Sequence, residues 1–404
     1  MILQRLAGCD RLPRLSRRSY AQELGAAVFM PAAIACVEGG VVGVIARLGF
    51  KAPDLVIAAL VAAPALANIS SVVWTRLMYG RDRVRFVNML QLLTLVSVLV
   101  LALAPYTPLG IGMLVLGVFA ARSCLSGIIT ARADVWMTNY PRHVRAHVTG
   151  RLTTVTTLML SLVALLTGAV MDAGWMHGHG YRLVYGGAIL LALVGVRIYS
   201  RIRWRRGRAI VARERAEAGA GLPHSASPMA MVRLLRDDRD FRRYMTAQFV
   251  LGMPNLALTA PFITAMDDIF RLQYKQSIML AQIIPVLIPI LLMPLWARLL
   301  DRRHVIEFRV YHSWFFVAAN CLCGVAFLTE SMVLLYLSRV ILGAAFAGGI
   351  LAWNLGHHDF VKGGLATVYM GVHVTLTGIR GLFAPFLGTL LYARWQLSMT
   401  GLEI

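Results

Sequence analysis

Acidic residues are scarce in this chain: 19 Asp and Glu stand against 40 Lys and Arg over 404 residues, a formal net charge of +21. Lysine is scarcer still, with only Lys51, Lys275 and Lys362, so the positive charge is almost all arginine, the codon habit of a GC-rich bacterial genome. Charged residues make up 15% of the sequence, too few to coat a soluble protein of this size without large apolar patches. The five cysteines, Cys9, Cys36, Cys124, Cys321 and Cys323, are odd in number and lack the spacing of a disulfide framework or a zinc site. No G-x-S-x-G, H-E-x-x-H or Walker loop is present, so neither a membrane hydrolase nor an ATP-driven pump is supported, and no cofactor is implied. Residues 1–19 are basic with no apolar core or cleavage site, unlike a secretory signal.

What fills the chain instead is apolar sequence: 58% of residues are hydrophobic and the mean hydropathy is +0.67. Residues 87–109, 152–171, 244–266 and 276–297 contain no Asp, Glu, Lys or Arg. A helix rises ~1.5 Å per residue, so each can cross a hydrocarbon core ~30 Å thick. The pattern predicts an all-α polytopic membrane protein with about eleven spans, near 22–46, 54–75, 86–107, 109–131, 152–171, 181–199, 244–268, 276–297, 308–329, 331–356 and 364–393. With a cytoplasmic N-terminus, 31 Lys and Arg fall on the cytoplasmic side and six (Arg47, Lys51, Arg182, Arg271, Lys275, Arg394) outside. That asymmetry orients the chain in a bacterial inner membrane and leaves the C-terminus periplasmic. The basic charge is therefore topogenic and attracted to anionic lipid, and it does not point to nucleic acid.

The longest polar stretch, 197–243, divides six spans from five, giving an N-terminal bundle over 1–200, a linker over 201–243 and a C-terminal bundle over 244–404. Most of the linker reads as a solvated connector, with 231–243 able to lie on the membrane surface as a basic helix. The halves share landmarks. Trp74-Thr-Arg76-Leu77 leaves the second span and Trp296-Ala-Arg298-Leu299 the eighth, at an offset of 222. Arg122 and Arg339, and Trp136 and Trp353, recur at an offset of 217. Parallel repeats of this kind mark a two-bundle transporter.

These residues resemble the major facilitator superfamily. Its loop signature between the second and third helices, roughly G-x-L-x-D-R-x-G-R-R, is similar to Ala297-Arg298-Leu299-Leu300-Asp301-Arg302-Arg303-His304. The first-half copy, Thr75-Arg76-Leu77-Met78-Tyr79-Gly80-Arg81-Asp82-Arg83, has Tyr79 where the acid belongs. Arg339-Val-Ile-Leu-Gly343-Ala-Ala-Phe-Ala347 resembles the family's R-x-x-x-G-x-x-x-A helix motif. The resemblance implies a two-bundle secondary transporter, with Arg76, Arg81, Arg83, Arg298, Asp301 and Arg302 at a cytoplasmic gate; Asp134, which closes the fourth span with Arg132, belongs to that gate or to a cap. It departs from the family's twelve helices, since 394–404 is too short to cross a bilayer as a helix; the chain has eleven spans or is a truncated form.

A charge at mid-membrane costs at least ~2.5–3.5 kcal/mol, so each one calls for a role. Glu38 is the one acid well inside a predicted span: either it carries a coupling proton or it is a structural partner of Arg122 or Arg380. Tyr369, His373, Thr377 and Arg380 share one face of the eleventh span, and a mid-membrane Arg380 suits an anionic substrate group or a buried acid. Gln248, Asn255 and Thr259 share a face of the seventh span beside Pro254 and Pro261, and Gln282 lies in the eighth. Such groups also serve as ordinary interhelical hydrogen bonds. With Arg122 and Arg339 they form the candidate substrate and coupling site. His357-His358-Asp359 and Met176-His177-Gly178-His179 are weak metal candidates, since adjacent helical residues point ~100° apart, and no metal site is expected. The expectation is a monomeric transporter, not an enzyme, of a small solute, proton-coupled and working by alternating access. The rival reading is a transport-inactive sensor or assembly scaffold of the same fold.

Overall fold

In hydrocarbon every backbone N–H and C=O has to be satisfied within the chain, and an uncharged run of 20 or more residues does this by coiling into a helix. The computed structural model describes residues 12–174, 176, 179–219, 228–361 and 366–399; Cys9, His177, Gly178, Lys362, the middle of the linker (220–227) and the end of the C-terminal tail (400–404) lie outside them. Among the described residues there is no strand, and ten helices are long and apolar enough to cross a membrane. Residues 54–78 form a further, interrupted helix, so the count agrees with about eleven spans.

The first span is α1 (Arg14–Phe29), α2 (Pro31–Ala35) and α3 (Gly39–Leu48). Pro31 opens α2, and the chain then tightens through bonds from Val37 N–H to the Ile34 carbonyl and from Glu38 N–H to the Ala35 carbonyl. Next come α4 (Asp54–Ile69) and α5 (Ser71–Met78), then α6 (Arg83–Leu103), capped by Asp82, and α7 (Pro108–Asn139), capped by Thr107. After α8 (Arg142–Asp172) and α9 (Gly180–Tyr199), the polar stretch holds α10 (Gly207–Gly219) and α11 (Pro228–Asp237). The seventh span breaks into α12 (Arg239–Ala257) and α13 (Thr259–Asp268). The eighth runs from α14 (Tyr274–Ile278) through a π turn, Met279–Ile283, into α15 (Ile284–Leu300). The last spans are α16 (Val305–Leu328), α17 (Met332–Leu355) and α18 (Ala366–Met399).

Two compact units emerge. One holds residues up to Glu38 together with Ser70–Pro223. In it α9 packs on α1 and α6, and α7 on α6, with Gly195 so close to Met30 that a Cβ would lie 2.8 Å from its backbone nitrogen. The other unit holds Gly39–Ile69 and everything from His224 onward, so α3 and α4 pack with α13, α14 and α18 although they precede the linker. Gly381 permits the α4–α18 contact, since a Cβ there would come within 1.9 Å of that of Ala65.

The repeat read from the tryptophans extends to packing. Trp74 Nε1 donates to Ser123 Oγ at 3.2 Å, and Trp296 Nε1 to the Ala344 carbonyl at 2.9 Å, each linking the second helix of its half to the fourth. A Cβ on Gly127 would strike Leu90 and Trp74; one on Gly348 would strike His312 and Trp296. The first span of each half ends in the same left-handed turn, at Lys51 (φ 50°) and Arg271 (φ 49°). In each, an N–H reaches back six residues, Ala52 to Ala46 and Leu272 to Met266, as at a helix end closed by a left-handed residue.

Candidate functional site

The break at 36–38 frees backbone groups in mid-span, and Arg122 on α7 fills the vacancy. Its Nε donates to the Val37 carbonyl at 2.9 Å, and its Nη2 lies 2.8 Å from Glu38 Oε2 without the alignment of a hydrogen bond. Tyr185 Oη donates to the neighbouring Cys36 carbonyl at 2.8 Å. Of the two partners expected for Glu38, the structure brings it Arg122. Arg380 lies in the second unit and donates through Nη1 to the Gln248 carbonyl at 2.6 Å.

That second unit contains an open cavity of about 280 Å³ among α12, α16, α17 and α18. Gln248, Asn255, His373, Thr377 and Arg380 line it, as do Arg309 and Asn354. Gly252 makes room for Arg380, whose guanidinium occupies the space a Cβ would need. The rest of the wall is largely apolar, including Phe249, Phe316, Phe346 and Trp353, and no Asp or Glu lines it. Asn320 Nδ2 donates to Asn255 Oδ1 at 2.9 Å and fixes that side chain on α16.

The other expected residues lie elsewhere. Thr259 donates to the Leu256 carbonyl in its own helix junction, and Gln282 packs beside Gly40. Tyr369 Oη donates to Asp238 at 2.7 Å. Arg339 is buried, donating to the Leu280 carbonyl freed by the π turn, with its guanidinium 4.0 Å from the Phe262 ring centroid.

Of the expected gate residues in the first unit, Arg83 and Asp134 meet: Nε donates to Asp134 Oδ2 at 2.9 Å. The acid missing from the loop comes from the linker. Arg83 Nη2 donates to Glu214 Oε1 at 2.5 Å, and Gly80 N–H to Glu214 Oε2 at 2.7 Å. Tyr79 Oη donates to Glu217 at 2.7 Å, which raises the phenol's pKa. Arg76, Arg81, Arg298, Asp301 and Arg302 are exposed, with no ion pair found for them among the described residues. The linker segment 207–219 is thus a helix docked on the loop, where a solvated connector was expected.

Three further groups carry no clear sequence signal. Glu23, fully buried, accepts from Trp136 Nε1 and, at 3.0 Å, from Tyr140 Oη, with Arg132 3.8 Å away. Within the second unit, Arg47 pairs with Asp54 (2.9 Å), Asp267 (2.8 Å) and Asp268. Arg309, one turn into α16, is half-buried and lines the cavity; its place at the start of the predicted ninth span does not mark it as a site residue. No cluster of His, Cys, Asp and Glu able to hold a metal occurs among the described residues.

With this geometry in view, the comparisons with known proteins are consistent with one another. The model of the Major Facilitator Superfamily matches residues 24–385. The chain belongs to the major facilitator superfamily. Its fold is similar to that of the xylose transporter XylE from E. coli in a partially occluded inward-open conformation (TM-score 0.65, 12% identity, 96% of this chain and 98% of that one). It is also similar to a POT family transporter bound to a thioalcohol-conjugated peptide (TM-score 0.66, 10% identity, 98% and 100%) and to the nucleoside transporter NupG (TM-score 0.63, 13% identity, 94% and 91%). No curated protein matches by sequence. The chain is a multi-pass membrane protein with the transporter fold of this superfamily, which is not a family of enzymes.

Proposed function

We propose that this chain is a secondary active transporter that moves a small solute across a bacterial inner membrane by alternating access, driven by protons. It works as a monomer in lipid, with its N-terminus and arginine-rich loops in the cytoplasm. The observation that carries the reading is the Glu38–Arg122 ion pair at the break in the first span. A carboxylate at the break in the first span, beside a guanidinium anchored separately on the Val37 carbonyl, is placed to exchange a proton while that anchor stays in place. Protonation removes the charge that Arg122 faces and loosens the pair. Because the pair bridges α7 and an irregular turn, that change acts where the first span departs from α-helical hydrogen bonding.

The test is solute movement in proteoliposomes with and without an imposed pH gradient. Glu38→Gln is expected to abolish gradient-driven accumulation while leaving solute exchange in place. Unchanged pH dependence in that variant excludes the role. Folded protein that moves no solute under any gradient supports the scaffold reading instead.

A further inference from the structure

We propose that the cavity of the second unit binds an anionic group, a carboxylate or a phosphate, carried on an apolar or aromatic body; as a substrate site this rests on the transport reading above. The first observation is unpaired charge. Arg309 and Arg380 both line the cavity, and neither has a carboxylate partner among the described residues. A guanidinium is always protonated, and two half-buried ones lining one largely apolar cavity leave excess positive charge that an anion would neutralise.

The second observation is unspent hydrogen-bonding capacity. Arg380 gives one bond, to the Gln248 carbonyl; Arg309 makes a long 3.4 Å contact from Nη1 to His312 Nδ1 and lies beside the Tyr244 hydroxyl. The buried Nε of each arginine and Nδ1 of His373 have no hydrogen-bond partner. Buried polar atoms are rarely left so, and two unsatisfied guanidinium donors beside one cavity are what a bound anion would satisfy. Arg122 and Arg339, two further arginines well inside spans, each direct Nε to a backbone carbonyl.

The third observation is the remaining wall. Phe249, Phe316, Phe346 and Trp353 offer ring surface to an apolar body. The volume of about 280 Å³ lies just below the usual range for small-molecule sites, so the ligand is small. Two sources could present such an anion: a free organic acid, which would be the transported solute, or the headgroup of an anionic lipid.

The experiment separates them in nanodiscs. Purified protein is placed in phosphatidylcholine alone or with added phosphatidylglycerol, and thermal stability is followed with benzoate, phenyl phosphate and uncharged benzamide. The expected result is stabilisation by the two anions and none by benzamide, with apparent affinity falling about 10- to 100-fold in Arg380→Gln and in Arg309→Gln, the loss of one charge-assisted bond or bidentate pair. Arg380→Lys and Arg309→Lys, which keep the charge, should retain part of the effect and serve if the Gln variants fold poorly. Stabilisation by phosphatidylglycerol alone, lost in the same variants, assigns the site to lipid. If neither source stabilises the protein, or both act equally on wild type and variants, the anion site is overturned. Binding is read without transport, so anion binding in a protein that moves no solute refutes the transport reading and leaves this inference standing.

Discussion

Replacing Arg83 tests whether the linker helix holds the loop that follows α5. The side chain is 2% exposed and reaches two carboxylates, Asp134 and Glu214, and the carbonyls of Met78 and Arg81. Asp134, 37% exposed, contributes little, because water screens it in either state. Glu214, at 12%, is different: truncating its partner leaves a largely desolvated carboxylate, which typically costs ~3–5 kcal/mol. Arg83→Ala is therefore expected to lose about 3 kcal/mol or more. Glu214→Gln keeps an acceptor for Gly80 N–H and should lose only about 1–2 kcal/mol. The double variant Arg83→Ala/Glu214→Ala should lose less than the sum of its singles by at least about 1 kcal/mol. Equilibrium denaturation in detergent measures these differences, and cleavage at a protease site engineered near residue 220 reports release of α10. Strict additivity, or an Arg83→Ala variant within about 0.5 kcal/mol of wild type, would refute the clamp.

Three further outcomes follow from the packing. Gly381→Ala forces two Cβ atoms into one space and should destabilise by about 1–3 kcal/mol, with Ala65→Gly restoring much of the loss in the double variant, as thermal shift would show. Glu23→Ala leaves the Trp136 and Tyr140 donors unsatisfied and should cost about 2 kcal/mol or more, whereas Glu23→Gln keeps an acceptor and costs less; chemical denaturation ranks them. Arg47→Ala leaves Asp54, Asp267 and Asp268 crowded without a cation and should lower thermal stability, with Asp268→Asn in the same chain recovering part of it.

The spans were legible because length and lack of charge are enough to predict a membrane helix, and the repeat because Trp74 and Trp296 keep their neighbours as well as their spacing. Breaks within spans were less so. Pro254 signalled one, but the turn before Gly39 and the π turn at Met279–Ile283 depend on what fills the opened backbone, here Arg122 and Arg339. Of the candidate site, the shared face of the eleventh and seventh spans placed Gln248, Asn255, His373, Thr377 and Arg380 around one cavity. It could not show that Thr259, Gln282, Tyr369 and Arg339 turn to other partners. Arg309 and Glu214 went unseen for one reason: in a linear reading a charge near a loop looks solvated, and burial is a property of the neighbours.

The most direct measurement of the central claim is proton movement coupled to solute movement in vesicles containing an internal pH indicator. Reconstituted wild-type protein, given an outward-directed gradient of a solute that stabilises it, should carry protons with the solute, and Glu38→Gln should move the solute without them. Equal proton movement in wild type and Glu38→Gln, with the variant folded and solute-competent, would contradict the account.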